Sequence, residues 1–494
     1  MANPGKGGSM ANAWCEEELK SVDLNDKRLD ERFGYILEAF ANRPQASIPA
    51  AVGGGRPEIK AAYDFMDNEK VTPEKILTPH FHATVKRCQS QKVVLCPQDT
   101  SDLDFTRPKQ QVRGAGPFDD GSRRGAFLHL SEAFTEDGTP LGAVWAKIWA
   151  REDTQGDHPK PSPAEKRKKR RATPIEEKES MRWIEGIRAT QKLAEACPET
   201  TCVSLCDSEA DIYDLLVEPR KTANFHWIVR ACQERAVLDE NGETLGVIRD
   251  SLQNRPALFT FEVAVRDREQ WISCETRSRR TTRVGRQAKV EARAGTVTIK
   301  APEINRHPTR SVTINVVWVR EIDPPEDDNP IEWILLTTLP ISIVEQVQRV
   351  IQYYKIRWMI EIYFRTLKSG CRIEDRRFET LPRMLACTAI YMIVAWRTLF
   401  VCRLGRSCPD MPCDVIFDTS EWQSVWTVHH RGRRVPLPDR PPSLVTMVRL
   451  TAILGGYVDR PNRSDPPGVE TVWKGLQRMY DLAWGWETFG PGAS

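Results

Sequence analysis

The chain has almost no net charge. Its 71 Lys and Arg nearly cancel 68 Asp and Glu, leaving +3, so overall charge announces no nucleic-acid partner and any such signal must be local. There is no CxxC pair. The 13 cysteines are odd in number and irregularly spaced through apolar runs such as VVLC and VSLC, which reads as reduced core thiols of a cytosolic protein. Cys202 and Cys206 lie four apart with no histidine pair at ligand spacing after them, so no structural zinc is expected. No uninterrupted apolar run reaches the roughly 18 residues that a membrane span needs, so no membrane partner is expected. The start MANPGKGGSMANAW lacks the apolar centre of a signal peptide, and the first nine residues read as a flexible leader.

What is present is length and apolar content: 494 residues, 40% hydrophobic, are enough for several domains with large cores. From Trp14 to about Cys88 apolar residues recur at three- and four-residue spacing. VDLNDKRLDERFGYILEAF predicts a helix capped by Asp23 or Asn25, and PEIKAAYDFM a second one after the glycine-rich AVGGGR. The period then changes. KVVLC, GAFLHLSEAF and LGAVWAKIWA read as strands, the last two as a hairpin around Glu136, Asp137 and Gly138. PIEEKESMRWIEGIRATQKLAEA reads as an amphipathic helix, TCVSLC as a buried strand and DIYDLL as the start of another helix. Residues 221–332 are strand-like throughout and read as an all-β insertion. After IEWILLTT the chain is expected to be helical from about Ile343 through Lys368, and helical with proline-rich breaks to its end. Two local runs are basic: six consecutive residues from Lys166 to Arg171, and RSRRTTRVGRQAKVEAR at 277–293. Such runs are often solvated loops, but either could follow a phosphate backbone.

Phosphoryl transfer assisted by divalent metal needs carboxylates converging from different elements. Asp99 ends VVLCPQD, and Asp207 ends VSLCD just before a helix; an acid in such a place also serves as a helix cap or turn former. In YKIRWMIEIYFRTLK, at about 100° per residue, Arg357, Glu361 and Lys368 fall at roughly 300°, 340° and 320° from Tyr354, on one narrow face. Arg357 and Glu361 alone would make an ordinary i,i+4 ion pair. The tyrosine and two cations, however, extend over about 21 Å of helix, enough to follow several phosphates.

The spacing Tyr354-x2-Arg357-x3-Glu361-x6-Lys368 resembles the YREK signature of the bacterial IS-four transposase family, Tn-five type. QDTSDLDF and CDSEADIYDLL resemble the segments that bear its first two catalytic aspartates, at Asp99 and Asp207. Weaker similarity runs through EEKES, FHWIVR, EWILLTT, LGGYVDR and PPGVETVWKGL. The resemblance implies a multidomain α/β fold in which an RNase H-like core, interrupted by an all-β insertion, is flanked by helical N- and C-terminal domains. The expected divisions are 1–88 for binding of transposon-end DNA, 89–220 and 333–375 for the core, 221–332 for the insertion and 376–494 for dimerisation. Asp99, Asp207 and Glu361 would hold two Mg²⁺ ions, with Mn²⁺ able to substitute. Tyr354, Arg357, Lys368 and Arg230 would contact DNA near the cut, and Trp333 would stack on a base flipped from a hairpinned end. The expected partners are transposon-end and target DNA and a second copy of the chain, in the bacterial cytoplasm at the nucleoid.

Two places depart from the family pattern. RRGAFLHL offers Phe127 as its only ring, beside Arg123 and Arg124, and residues 400–440, including His429 and His430, match nothing in it. Rival readings are a metal-dependent nuclease on the same fold without strand transfer, a non-catalytic DNA-binding derivative, and a carbohydrate-active enzyme with paired carboxylates. The last has no use for a cationic stripe beside Glu361.

Overall fold

The computed structural model describes residues 13–490 except 120, 154–161, 163, 166–171, 266–267, 274–277, 304–306, 327, 432, 434 and 461–465. The expected leader and the run from Lys166 to Arg171 lie outside the described residues. The chain divides into two compact units: one holds the described parts of 1–94, 99–156 and 358–494, the other 95–98 and 157–357.

The first unit begins with five helices, Ala13–Glu18, Lys27–Asn42, Ile48–Ala51, Arg56–Met66 and Pro73–Gln89. Phe33, Ile36, Leu37 and Phe40 make one buried stripe on the second of these, the spacing of a helix that covers a core on one side. Its cap is Asp26, whose side chain accepts the Arg28 N–H. Neither Asp23 nor Asn25 takes that place: Asn25 has a left-handed φ of 59°, and Asp23 accepts the Asn25 N–H in the preceding turn. At the other end of the chain stand Leu381–Ser407, Thr419–His429, Leu444–Leu454 and Val469–Phe489. A Cβ on Gly475 would lie 1.8 Å from the Thr451 carbonyl, so a glycine is what lets the last two helices touch backbone to backbone.

Leu381–Ser407 is long and apolar enough to cross a membrane by length and composition, with mean hydropathy 1.8 in its most apolar window. Arginines interrupt it, which is why no unbroken apolar run is visible in the sequence. Of that window 83% is buried within the fold, and Tyr391 stacks on Phe40 at 4.7 Å; it is a core helix.

Fourteen strands are described: β1 Val93–Asp104, β2 Gly116–Pro117, β3 Arg124–Phe134, β4 Pro140–Trp149, β5 Thr201–Cys206, β6 Phe225–Arg230, β7 Ala236–Leu238, β8 Thr244–Val247, β9 Phe259–Val265, β10 Arg268–Ser273, β11 Ser278–Arg283, β12 Arg286–Lys300, β13 Ser311–Glu321 and β14 Glu332–Thr337. Strand β1, much longer than KVVLC, passes from the second unit to the first between Gln98 and Asp99. In the first unit β3 pairs antiparallel with β2 and β4 and neighbours β1. In the second the order is β1-β5-β6-β14-β13-β12-β7-β8, with β9 on β12. Strand β6, which lies within the expected insertion, pairs in parallel with β5. The helix expected from DIYDLL is a single turn, Tyr213–Leu216. Before it, the Asp211 carboxylate accepts the N–H groups of Cys232 and Gln233 at 2.8 and 2.7 Å and is paired with Arg235, so tertiary bonds hold this segment instead.

Candidate active site

In the second unit, sheet register assembles a charged cluster. Asp207 follows the last residue of β5, and its side chain accepts the Glu209 N–H at 2.8 Å, capping a short turn. Cys206 is in register with Val229, so the next residue on each parallel strand, Asp207 and Arg230, comes at the same level, at the carboxyl ends where open α/β sheets bind ligands. Arg230 is exposed and in register with Leu335 of β14. Cross-strand partners share a face and the side-chain period is two, so Trp333 lies on the same face as Arg230; it is half-buried.

Helix Val344–Ile356 brings Tyr354 to this cluster. Burial pushes its phenol up to about 12, while Arg357 and Arg230 pull it down and Asp207 pushes it up. One hydroxyl thus feels the charges of three of the expected site residues. Tyr354 is only 8% exposed, so its ring is packed and only its polar end can serve a ligand.

Glu361 and Lys368 belong to the first unit, and the helix that was to carry all four signature residues is not uniform. Val344–Ile356 ends with Arg357 N–H donating to Tyr354 O, a tight i→i+3 bond. Met359–Arg365 follows, and Thr366–Gly370 is a π-turn. The Thr366 hydroxyl donates to Ile362 O at 2.9 Å, a competitor to the helix ladder, and Cys371 N–H closes the wider loop onto Thr366 O at 2.9 Å. A constant 100° step therefore does not describe the whole path from Tyr354 to Lys368. Opposite Glu361 the helix is pinned by Tyr363, whose hydroxyl donates to Met392 O at 2.9 Å.

Lys368 is tied to the strand of Asp99 by a residue the sequence reading did not single out. Glu374 Oε1 lies 3.4 Å from Lys368 Nζ and accepts the Asp104 N–H at 3.0 Å. Asp99 itself is half-buried, and its Oδ1 accepts the Thr100 N–H at 2.7 Å. The residue before it, Gln98, is wholly buried in the second unit and donates to Ser204 Oγ at 2.9 Å and Cys206 Sγ at 3.2 Å. A Cβ on Gly186 would fall 2.1 Å from Gln98 Oε1, so that glycine makes room for the anchor. No pattern in the sequence marks Gln98, Gly186 or Glu374, because each acts through a partner distant along the chain.

Asp99, Asp207 and Glu361 are all half-buried carboxylates, a donor type that suits a hard divalent cation. Among the described residues no group of three or more His, Cys, Asp or Glu is gathered closely enough to hold a metal. Asp99 and Glu361 stand in one unit and Asp207 in the other.

At the two places read as departures from the family pattern, the rings pack on neighbouring side chains. Phe127 is buried, stacks on Trp149 at 5.3 Å and lies under the Arg151 guanidinium. His430 packs on Trp426 with centroids 4.1 Å apart, and its Nδ1 lies 2.9 Å from the carbonyl of the same residue. Ten of the twelve described cysteines are buried, and all twelve are free thiols.

Three family models match the chain: a transposase DNA-binding model over residues 11–71, a transposase DDE domain over 184–394 and a transposase Tn5 dimerisation domain over 393–486. The DDE match spans Asp207, Arg230, Trp333, Tyr354, Arg357, Glu361 and Lys368; Asp99 lies before it, and residues 400–440, read from the sequence as outside the family pattern, fall within the dimerisation match. A solved piggyBac transposase synaptic complex with hairpin DNA aligns at 11% identity and TM-score 0.34, over 81% of this chain and 73% of that one. At that score the likeness carries no weight for fold or chemistry.

Proposed function

Because the chain belongs to the Tn5-type DDE transposases, enzymes that cut and join DNA with divalent metal, we propose that Asp99, Asp207 and Glu361 are its metal-binding catalytic acids. The observation that carries this reading is the cluster of Asp207, Arg230, Tyr354 and Arg357 at the carboxyl ends of β5 and β6. An acid framed by two guanidiniums and a phenol is the arrangement a scissile phosphate needs: the cations meet its oxygens, and the acid stays available to a cation. Mg²⁺ is the proposed ion, Mn²⁺ the substitute; when bound it would polarise the phosphate and make water a nucleophile at neutral pH. Asp99 and Glu361 are the other two proposed donors, and Lys368 is tied through Glu374 to the strand that carries Asp99.

The chain's own residues orient the DNA. Arg230, Arg357 and Lys368 would hold phosphates flanking the cut, and Tyr354 would donate its hydroxyl to one of them. Water breaks the P–O bond at a transposon end and frees a 3′ hydroxyl. That hydroxyl attacks a phosphodiester of the opposite strand, closing a hairpin and releasing the flanking DNA with its own 3′ hydroxyl, with Trp333 stacked on the extruded base; water reopens the hairpin, and the hydroxyl then attacks a target phosphodiester, displacing the target strand's 3′ oxygen. The RNase H-like core is assigned to 89–220 and 333–375 and its β insertion to 221–332, supported by the β3-β4 hairpin and the helix Met181–Ala196 before β5, with β6 of the assigned insertion pairing in parallel with β5. Residues 1–88 would recognise the terminal inverted repeats and 376–494 pair two protomers in a synaptic complex, consistent with the DNA-binding and dimerisation matches. The bacterial nucleoid, where both DNA substrates are found, is the proposed site of action.

The test is end-bearing DNA with Mg²⁺ or Mn²⁺, assayed for nicks, hairpins and joined molecules. Asp207→Ala is expected to lose cleavage on the order of 10³-fold, the equivalent of several kcal/mol of charge stabilisation, while still binding end DNA. Near-normal cutting by that variant would remove Asp207 from the site, and cutting without joined products would leave a nuclease.

A further inference from the structure

Strand register fixes where the Arg230 backbone sits, but it does not aim a long side chain. What meets that side chain is the start of β14. Ala231 N–H donates to Ile334 O at 2.8 Å, and Arg230 is in register with Leu335. In an antiparallel ladder the next bond toward the start of β14 would run from Gln233 N–H to Glu332 O. Gln233 N–H donates instead to the Asp211 carboxylate at 2.7 Å. The Glu332 carbonyl, an obligatory acceptor without its ladder donor, is taken by Arg230, whose Nη2 donates to it at 3.4 Å. A guanidinium carries five N–H groups, so one long bond orients it without occupying it.

Glu332 is itself held by three donors. Its carboxylate accepts Arg249 Nε at 3.1 Å and Nη2 at 2.8 Å, a forked pairing, and the Trp318 indole N–H at 2.9 Å. Trp318 is in register with Ile334, so it stands diagonal to Glu332 on one face of the sheet, and it is buried. Arg249, on helix Ile248–Gln253, is steadied in turn by Glu234 at 3.1 Å. The Arg249 bonds hold the Glu332 carboxyl below the usual range against its burial, and the Trp318 bond and then the charges of Arg249 and Arg230 add to this. Glu332 is therefore an anion at neutral pH, and Arg230 meets its charge as well as its carbonyl. Alternation puts the Glu332 side chain on the face opposite Trp333 and Arg230, away from the DNA those two would hold.

We infer that Glu332, pinned by Arg249 and Trp318, is a positioning residue that aims Arg230 at a phosphate beside the cut. The inference deepens the role proposed for Arg230 and rests on it.

The experiment follows single-turnover cleavage of an end-bearing duplex by saturating full-length protein, together with affinity for that DNA and the denaturant midpoint. Glu332→Gln removes the charge and leaves one carbonyl oxygen for three donors. Cleavage should fall about tenfold, as when an outer partner of an active-site group is lost, with affinity changed less than about threefold. The deciding comparison is made on the Arg230→Gln background. Residues acting as one unit do not add, so R230Q/E332Q should be no more than about twofold slower than R230Q; a role in stability alone would repeat the whole loss. Trp318→Phe keeps the ring and deletes one donor. It should slow cleavage about two- to tenfold, the equivalent of one hydrogen bond, again only while Arg230 is present, and it decides the matter if E332Q does not fold. A folded E332Q that cuts at the wild-type rate overturns the inference, as does an equal loss with and without Arg230; in both cases the transposase reading stands. If the wild type cuts no end-bearing DNA with Mg²⁺ or Mn²⁺, that reading falls and this inference with it.

Discussion

The residues around Asp207 and those around Glu361 reach their places by different means. Asp207, Arg230 and Trp333 are set by strand register: once β5, β6 and β14 are paired, their neighbours are fixed. Glu361 and Lys368 stand on a helix that tightens at Arg357 and widens at Thr366, and Lys368 is positioned through one carboxylate, Glu374, shared with the β1 backbone. Sheet geometry is redundant, because many ladder bonds must fail together before a residue moves. A single tether is not. The placement of Asp207 and Arg230 should therefore tolerate nearby changes better than that of Lys368.

The sharpest way to break that contrast is Glu374→Gln, which keeps the acceptor for Asp104 N–H but removes the charge facing Lys368. Cleavage should fall about 10- to 100-fold, as for loss of an outer partner of an active-site group, with affinity for end DNA little changed. If single-turnover rates match wild type, the tether is not what positions Lys368. Gly186→Ala attacks the other half where it is least redundant. The new Cβ would meet Gln98, which is buried and bonded twice, so stability should drop by about 1–3 kcal/mol in denaturant titration; an unchanged midpoint would mean that the helix shifts without resistance.

Glu132 sharpens the comparison within the first unit. Its side chain is buried with no hydrogen-bond partner for either oxygen, and burial pushes its carboxyl well up, with Arg87 offsetting only part. Glu18 of the same unit, equally buried, has Arg87 at 2.8 Å and the His80 ring as partners and is held below the usual range although burial alone would raise it, because its interactions with these two partners outweigh that effect. A raised folded pKa gives stability that is complete below the unfolded value, near 4.5, and is lost as pH rises. Glu132→Gln should therefore be more stable than wild type by about 1–2 kcal/mol at pH 8, with the difference closing toward pH 4. A constant difference across that range would show that the carboxyl does not titrate as described. The smallest effect is expected at Lys60, whose pairing with Asp64 is exposed on both sides: Lys60→Ala should change stability by less than about 0.5 kcal/mol, and a larger loss in thermal melts would mean the pair does more than sit on the surface.

The residues proposed for the site could be picked out beforehand because they lie in contiguous motifs. A strand ending in an acid, or a tyrosine, arginine, glutamate and lysine at helical spacing, needs only local periodicity to be recognised. Gln98, Gly186, Asp211 and Glu374 were not legible, since each takes its meaning from a partner tens to hundreds of residues away. The uniform helix through Lys368 was over-read for a related reason: periodicity says that a segment is helical, but a back-bonding threonine and a glycine packed against Trp473 decide where its pitch changes.

By itself the sequence determined the family, the helical ends and the strands of the centre, and it supplied the eight residues proposed for the site, because short-range pattern and residue chemistry are written in the order of the chain. Only tertiary structure decided that β6 pairs in parallel with β5, that Asp207 and Arg230 come level, that Leu381–Ser407 is a core helix and that Lys368 is tethered through Glu374. These depend on which distant backbones meet and which side chains are buried when they do, and the free energy of that burial belongs to the folded chain rather than to any segment of it.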